Sequence, residues 1–307
     1  MRGLAISLMI IVNFLATYSC TPAGLRHAAP LHGLAFADLG APFFYFMIGI
    51  GYRISFCRRA AREGLGRAQL HLVKRYFLLL AFGFAGALVT RMHVICAWNV
   101  LQAIGWAGLL ALPFIGLAPL PRALAALGIL AAWQVIGLLG YNEWLMRYDT
   151  GGLGGVLGGL AWCALVLLAS LLADALGERP DRRYFTWLLG FAAAGIGAGL
   201  LLGLALPISK PLVTAPYILL CTGLAAVTLA LLTVLADLWH RPVPLLSAVG
   251  RNALLLFMLH GVLSLLVGMV VPPDAAPLVV AASALGIFGA CLALAVTLQR
   301  RGLYWTV

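Results

Sequence analysis

The feature that most constrains this chain is a succession of long apolar runs, repeated from one end to the other with only short polar gaps between them. A helix crosses the hydrocarbon of a bilayer with about 20 apolar residues. No water is available there to satisfy an open backbone, so each crossing segment must bond to itself. The runs therefore predict an all-α fold, a polytopic transmembrane bundle of about ten helices. The spans are placed at Gly3 to Tyr18, Leu39 to Phe56, Tyr76 to Thr90, Asn99 to Leu117, then a fifth that follows Pro119-Leu120-Pro121-Arg122 and ends near Gly140. The rest lie at Leu153 to Leu176, Tyr184 to Leu206, Pro216 to Leu238, Ser247 to Val270 and Leu278 to Leu298. Only 9% of the residues are charged, where soluble domains carry about 25%. No polar stretch is long enough to build a soluble domain, so residues 1–307 read as one transmembrane domain.

The net charge of +11 would point to nucleic acid in a soluble protein. Here the basic residues sit in the gaps between apolar runs, which excludes that reading and makes them a topology signal. With the N-terminus inside, all 20 Lys and Arg fall on the cytoplasmic side except Arg26, Arg91, Arg147 and Lys210. The positive-inside bias then places both termini in the cytoplasm, with the basic face against anionic lipid headgroups. Membrane lipids are the expected partners, and the sequence allows a homodimer. The six cysteines are scattered, without the spacing of a metal site, and read as small apolar residues; no metal is expected. Glycine runs at 151–159 and at Gly195, Gly197 and Gly199 read as close helix packing.

Polar groups inside or beside such runs need partners. Asn13 sits late in the first span. His27 and His32 lie in the first outer loop; either is an ordinary interfacial histidine or a proton acceptor near neutral pH. Asp38 opens the second span, as a helix cap or as the carboxylate that orients a histidine. His260 lies within the ninth span, where an ionisable group marks a function or bonds across helices. Asp174 reads as an anchor at an inner span end. Arg75, Gln102, Arg251 and Asn252 open spans with basic or amide groups suited to phosphate, or to anchoring at the lipid surface.

These stretches together resemble a known family. The blocks are Arg2-Gly3-Leu4-Ala5-Ile6 with Met9 to Asn13; His27-Ala28, then Gly33 to Leu39 and Pro42-Phe43-Phe44; Asn99-Val100-Leu101-Gln102; Pro207-Ile208-Ser209-Lys210 with Thr214 and Tyr217; and Gly250-Arg251-Asn252-Ala253. In this order they are similar to the bacterial relatives of heparan-α-glucosaminide N-acetyltransferase, within the transmembrane acyltransferases. The resemblance implies an acyl-CoA-dependent N- or O-acetyltransferase in the bacterial inner membrane. Acetyl-CoA would be the cytoplasmic donor, and an extracytoplasmic sugar or glycolipid the acceptor. It implies His27 as base or acetyl carrier, Asp38 as its orienting group and Asn13 as a positioning group. Arg75, Gln102, Arg251 and Asn252 would then meet the donor, and His32, Lys210 and His260 the acceptor. The chain departs from the family pattern in places. Gln102 is followed by Ala103 rather than arginine, the tryptophan after the histidine is replaced by Pro30-Leu31-His32, and one extra residue separates His27 from Gly33. His32 therefore stays open as the base. A transporter or flippase with polar residues lining its path is the alternative function, since sparse buried polar groups suit that class as well.

Overall fold

In the computed structural model, the described residues are 1–29, 31, 33–89, 98–148, 151–176, 180–241 and 243–304. Among them the structure is all helical, with no strand. The helices are α1 (Arg2–Leu15), α2 (Gly40–Glu63), α3 (Leu65–Val89), α4 (Val100–Ile115), α5 (Pro119–Ile136), α6 (Asn142–Tyr148), α7 (Gly159–Ala175), α8 (Arg182–Gly203), α9 (Ala215–Thr233), α10 (Pro244–Arg251), α11 (Ala253–Gly268) and α12 (Pro277–Arg300).

Among the described residues, five segments are long and apolar enough to cross a membrane: Leu65–Ala87, Pro119–Tyr148, Arg182–Gly203, Ala215–Leu238 and Pro277–Arg300. A sixth passes only as the pair α10 and α11, bent by 86°. Three apolar helices, α1, α4 and α7, are shorter. The reason differs between helices. Most of α7 is buried, with Ala161, Trp162, Cys163, Ala164 and Leu165 all at 0% exposure. It is apolar all round because protein surrounds it, so its length need not match the bilayer. α8 is as apolar in character, yet Leu200 and Leu201 are exposed, the pattern of a helix with lipid on one side.

Several boundaries differ from the sequence reading. The basic connector after Phe56 is helical rather than a loop: α2 runs on to Glu63 and α3 starts at Leu65. Between them Gly64 adopts φ +88°, the left-handed conformation that ends a helix at little steric cost. The segment after Gly140 is also helical, a π turn (Gly137–Tyr141) leading into α6. The ninth span is not one helix; it breaks at Asn252. The glycine run near 151–159 forms a turn, with Gly152, Gly154 and Gly155 at positive φ. Gly199 does pack closely, since a Cβ there would lie 2.6 Å from Leu220 N on α9, whereas Gly197 faces open space.

The chain divides into two compact units. Unit 1 comprises Met1–Ala28, Ala35–Phe44 and Leu232–Val307, and unit 2 comprises Ala29–Leu34 and Tyr45–Leu231. In unit 1, α1 packs on α10, α11 and α12. Its first turn meets α10 so closely that a Cβ on Gly3 would fall 1.8 Å from Leu246 O. In unit 2, α4, α5 and α8 pack against α7, and α3 against α4.

Candidate active site

His27 lies in the segment between α1 and α2, and that segment is tied down along its length. Thr21 Oγ1 donates to Leu15 O at the end of α1, at 2.5 Å. The backbone N–H and the hydroxyl of Ser19 both donate to Pro273 O, at 2.9 and 3.1 Å. The Arg26 guanidinium donates to Ser19 O. A 3-10 turn at Ala23–Leu25 then leads into extended backbone at Arg26, and His27 follows.

A second 3-10 turn, Phe36–Leu39, supplies Asp38 just before α2. Asp38 N donates to Ala35 O at 3.0 Å, and the Asp38 carboxylate reaches back to accept Ala35 N at 3.0 Å through Oδ2. The same oxygen accepts Ala28 N at 3.2 Å. Oδ1 pairs with His27 Nδ1 at 2.8 Å. Asp38 therefore caps a turn and contacts a histidine at once. Its exposure is 0%. A buried carboxylate is tolerated only where donors replace its water, and three N–H groups do so here.

An ionised carboxylate only accepts, so in this contact Nδ1 is the nitrogen that donates. The His27 side chain is 31% exposed while its partner is fully buried. The arrangement is a partly exposed imidazole held in orientation by a fixed, buried carboxylate.

The other predicted residues divide between the units. In unit 1, Asn13 is half-buried on α1. His260 is buried on α11, where Nδ1 bonds Phe257 O in its own helix and the ring lies 4.8 Å from that of Phe257. Asn252 is fully buried at the α10–α11 bend. Arg251 is exposed, and its Nη1 donates to Tyr304 Oη at 2.9 Å. His32 lies outside the described residues. In unit 2, Arg75 lies 5.7 Å over the ring of Tyr76. Gln102 caps α4: Oε1 accepts Asn99 N at 2.9 Å, and Gln102 N donates to Asn99 Oδ1 at 3.0 Å. Gln102 is fully buried, and its Nε2 has no hydrogen-bond partner among the described residues. Lys210 belongs to a turn closed by Thr214, which donates to Pro207 O at 2.7 Å and accepts Ser209 N at 3.1 Å. Val213 in that turn has φ +48°, an unfavourable conformation for a β-branched residue. It is held by Trp133 Nε1 donating to Val213 O at 2.9 Å and by Ala215 N donating to Gln134 Oε1 at 2.9 Å.

One polar cluster escaped the sequence reading. Arg122, at 0% exposure, pairs with Asp174 on α7 and donates to Leu117 O at 3.0 Å. Arg53 on α2 pairs with the other Asp174 oxygen at 2.9 Å and donates to Ile115 O at 2.6 Å. Two guanidinium groups thus join α2, α5 and α7 to the carbonyl end of α4, where the helix dipole favours positive charge. Each member alone was visible as a charge beside an apolar run, which calls for a partner, but no pattern in the sequence named which partner.

Together the fold and this site define a class, an α-helical membrane protein built around a histidine backed by a buried carboxylate. Residues 1–148, a little under half of the chain, match the family described as Heparan-alpha-glucosaminide N-acetyltransferase, catalytic. Over these residues the protein is similar to the catalytic part of that acetyltransferase family. The matched stretch includes Asn13, His27, Asp38, Arg75 and Gln102 and stops short of Lys210, Arg251, Asn252 and His260. Among curated proteins no match is found.

Proposed function

We propose that this protein moves an acetyl group from acetyl-CoA, taken from the cytoplasmic face, to a sugar or glycolipid acceptor on the other side of a bacterial inner membrane. The observation that carries the reading is the His27 Nδ1 to Asp38 Oδ1 bond of 2.8 Å on a fully buried carboxylate. It equips His27 Nε2 to take a proton from the acceptor's amine or hydroxyl. The freed lone pair attacks the thioester carbonyl, the C–S bond breaks, and the thiolate leaves as CoA after receiving that proton. Asp38 holds the imidazolium in between. Asn13 is assigned to the developing oxyanion. Arg75 and Arg251 are assigned to donor phosphates and Asn252 to the donor's polar edge. The spare Nε2 donor of Gln102 suits a carbonyl oxygen of the donor. His32, Lys210 and His260 are assigned to the acceptor. The topology that supports this has both termini cytoplasmic, and residues 1–307 act as one transmembrane domain.

The test is acetyl-CoA consumption by the purified protein with a panel of amino sugars and glycolipids. Release of CoA should require His27 and survive His32→Ala. Transfer retained by a folded His27→Ala protein would overturn the assignment.

A further inference from the structure

One end of unit 1 gathers charge and aromatic groups that, Arg251 apart, the transfer chemistry does not use. The first turn of α1 lies against α10: a Cβ on Gly250 would fall 2.9 Å from Gly3 N. Arg251, the last residue of α10, reaches Tyr304 beyond the end of α12. The residues Arg2, Arg241, Arg251, Arg300 and Arg301 are therefore brought to the same end, and all five are exposed. The acidic residue beside them is Asp237, with His240 next to Arg241.

α10 itself is two-faced. Ala248 and Val249 are buried, while Leu245 is 50% exposed and Ser247 also faces outward. Trp239 at 68% exposure and Tyr304 at 44% flank it. The 86° bend at Asn252 turns α10 away from the direction of α11. A helix that turns across its neighbour, with apolar side chains outward and arginines at its rim, has the composition of one lying in the plane of the interface. Trp and Tyr settle at the same depth, and arginine stems reach from there to the headgroups.

We infer that this end of unit 1 is a docking surface for anionic phospholipid headgroups, with α10 lying in the interface as its platform. Charge complementarity selects the occupant, because each arginine near the surface favours an anionic over a zwitterionic lipid. The inference rests on unit 1 alone and stands whether or not the acetyl transfer does.

The experiment uses the full chain reconstituted in vesicles, with Cys57→Ser to remove an exposed thiol and a fluorophore on Ser247→Cys. Brominated phosphatidylglycerol and brominated phosphatidylcholine are compared as quenchers at equal mole fraction. The anionic lipid should quench about twofold more strongly, and Arg241→Gln with Arg300→Gln and Arg301→Gln should remove that excess while quenching by phosphatidylcholine persists. Saturating CoA or inorganic phosphate should leave the excess unchanged. Equal quenching by the two lipids in the parent protein, or an excess that survives the triple substitution, would overturn the inference. So would an excess abolished by free CoA, which would assign the arginines to a soluble phosphate. Loss of quenching by both lipids would place α10 out of the interface and overturn it too.

Discussion

Unit 1 and unit 2 each commit a carboxylate to a cationic or titratable partner, and they do so for opposite ends. Asp38 in unit 1 is fully buried and faces an imidazole and two backbone N–H groups. Asp174 in unit 2 keeps 26% side-chain exposure and faces two guanidinium groups. Guanidinium is permanently protonated and has donors only, so neither arginine of the second cluster can act as a base. The cluster fastens helices. Imidazole can gain and lose a proton near neutral pH, so the first pair has the residue types that proton transfer needs. Burial alone does not make a site; the partner's ability to release and accept a proton does. A third pair, Arg59 with Glu63 on the exposed face of α2, marks the low end of the scale.

The largest effect expected on this comparison is catalytic. His27→Ala should lower acetyl transfer by about 10⁴-fold, and Asp38→Asn, which offers the ring the wrong partner, by about as much. Both are measured as CoA release per folded protein, and an Asp38→Asn protein with full activity would place Asp38 with Asp174 as a purely structural carboxylate. The next effect is on stability. Asp174→Asn leaves Arg122 buried without its counter-charge and should cost about 2–3 kcal/mol, less than a fully buried pair would because Asp174 is partly solvated. Thermal unfolding should show this loss while activity of the folded fraction persists; lost activity at unchanged melting temperature would reverse the roles of the two carboxylates. Gly3→Ala should cost about 1–3 kcal/mol by forcing α1 from the α10 backbone, read from the same melting curves. Tyr45 is fully buried, stacked on Trp162 at 4.4 Å, with a hydroxyl that finds no partner. Tyr45→Phe should leave stability unchanged or raise it by about 1 kcal/mol. The smallest effect belongs to Arg59→Gln, which breaks an exposed i,i+4 pair and should change stability by about 0.3–0.5 kcal/mol. A larger loss would show that the α2 tail is held by that pair.

The site was partly legible before any coordinates. His27 and Asp38 are eleven residues apart with glycine, proline and a masking stretch of apolar residues between them. The resemblance to a family named both, and chain proximity on one side of the membrane allowed them to meet. The Arg122–Asp174–Arg53 cluster was not legible as a cluster, because its members come from three helices and no local pattern links positions 53, 122 and 174. Gln102 shows a different limit. Asn99 followed by Gln102 has the spacing of a reciprocal cap, so its structural duty could have been read, but not the unpartnered Nε2 that the cap leaves behind.

The sequence by itself determined that this chain is helical and built for a membrane, since twenty-residue apolar runs with few charges have no other stable outcome in lipid. It also determined which end of each run carries the basic residues. Only the tertiary structure decided which apolar helix is wrapped in protein and which faces outward, because α7 and α8 are both apolar runs and their neighbours are not written in either run. It also decided that the ninth run bends at Asn252, beside a helix that α1 packs against through a contact between residues more than 240 positions apart. And it decided which nitrogen of His27 faces Asp38, since the fold places Nδ1 2.8 Å from Oδ1.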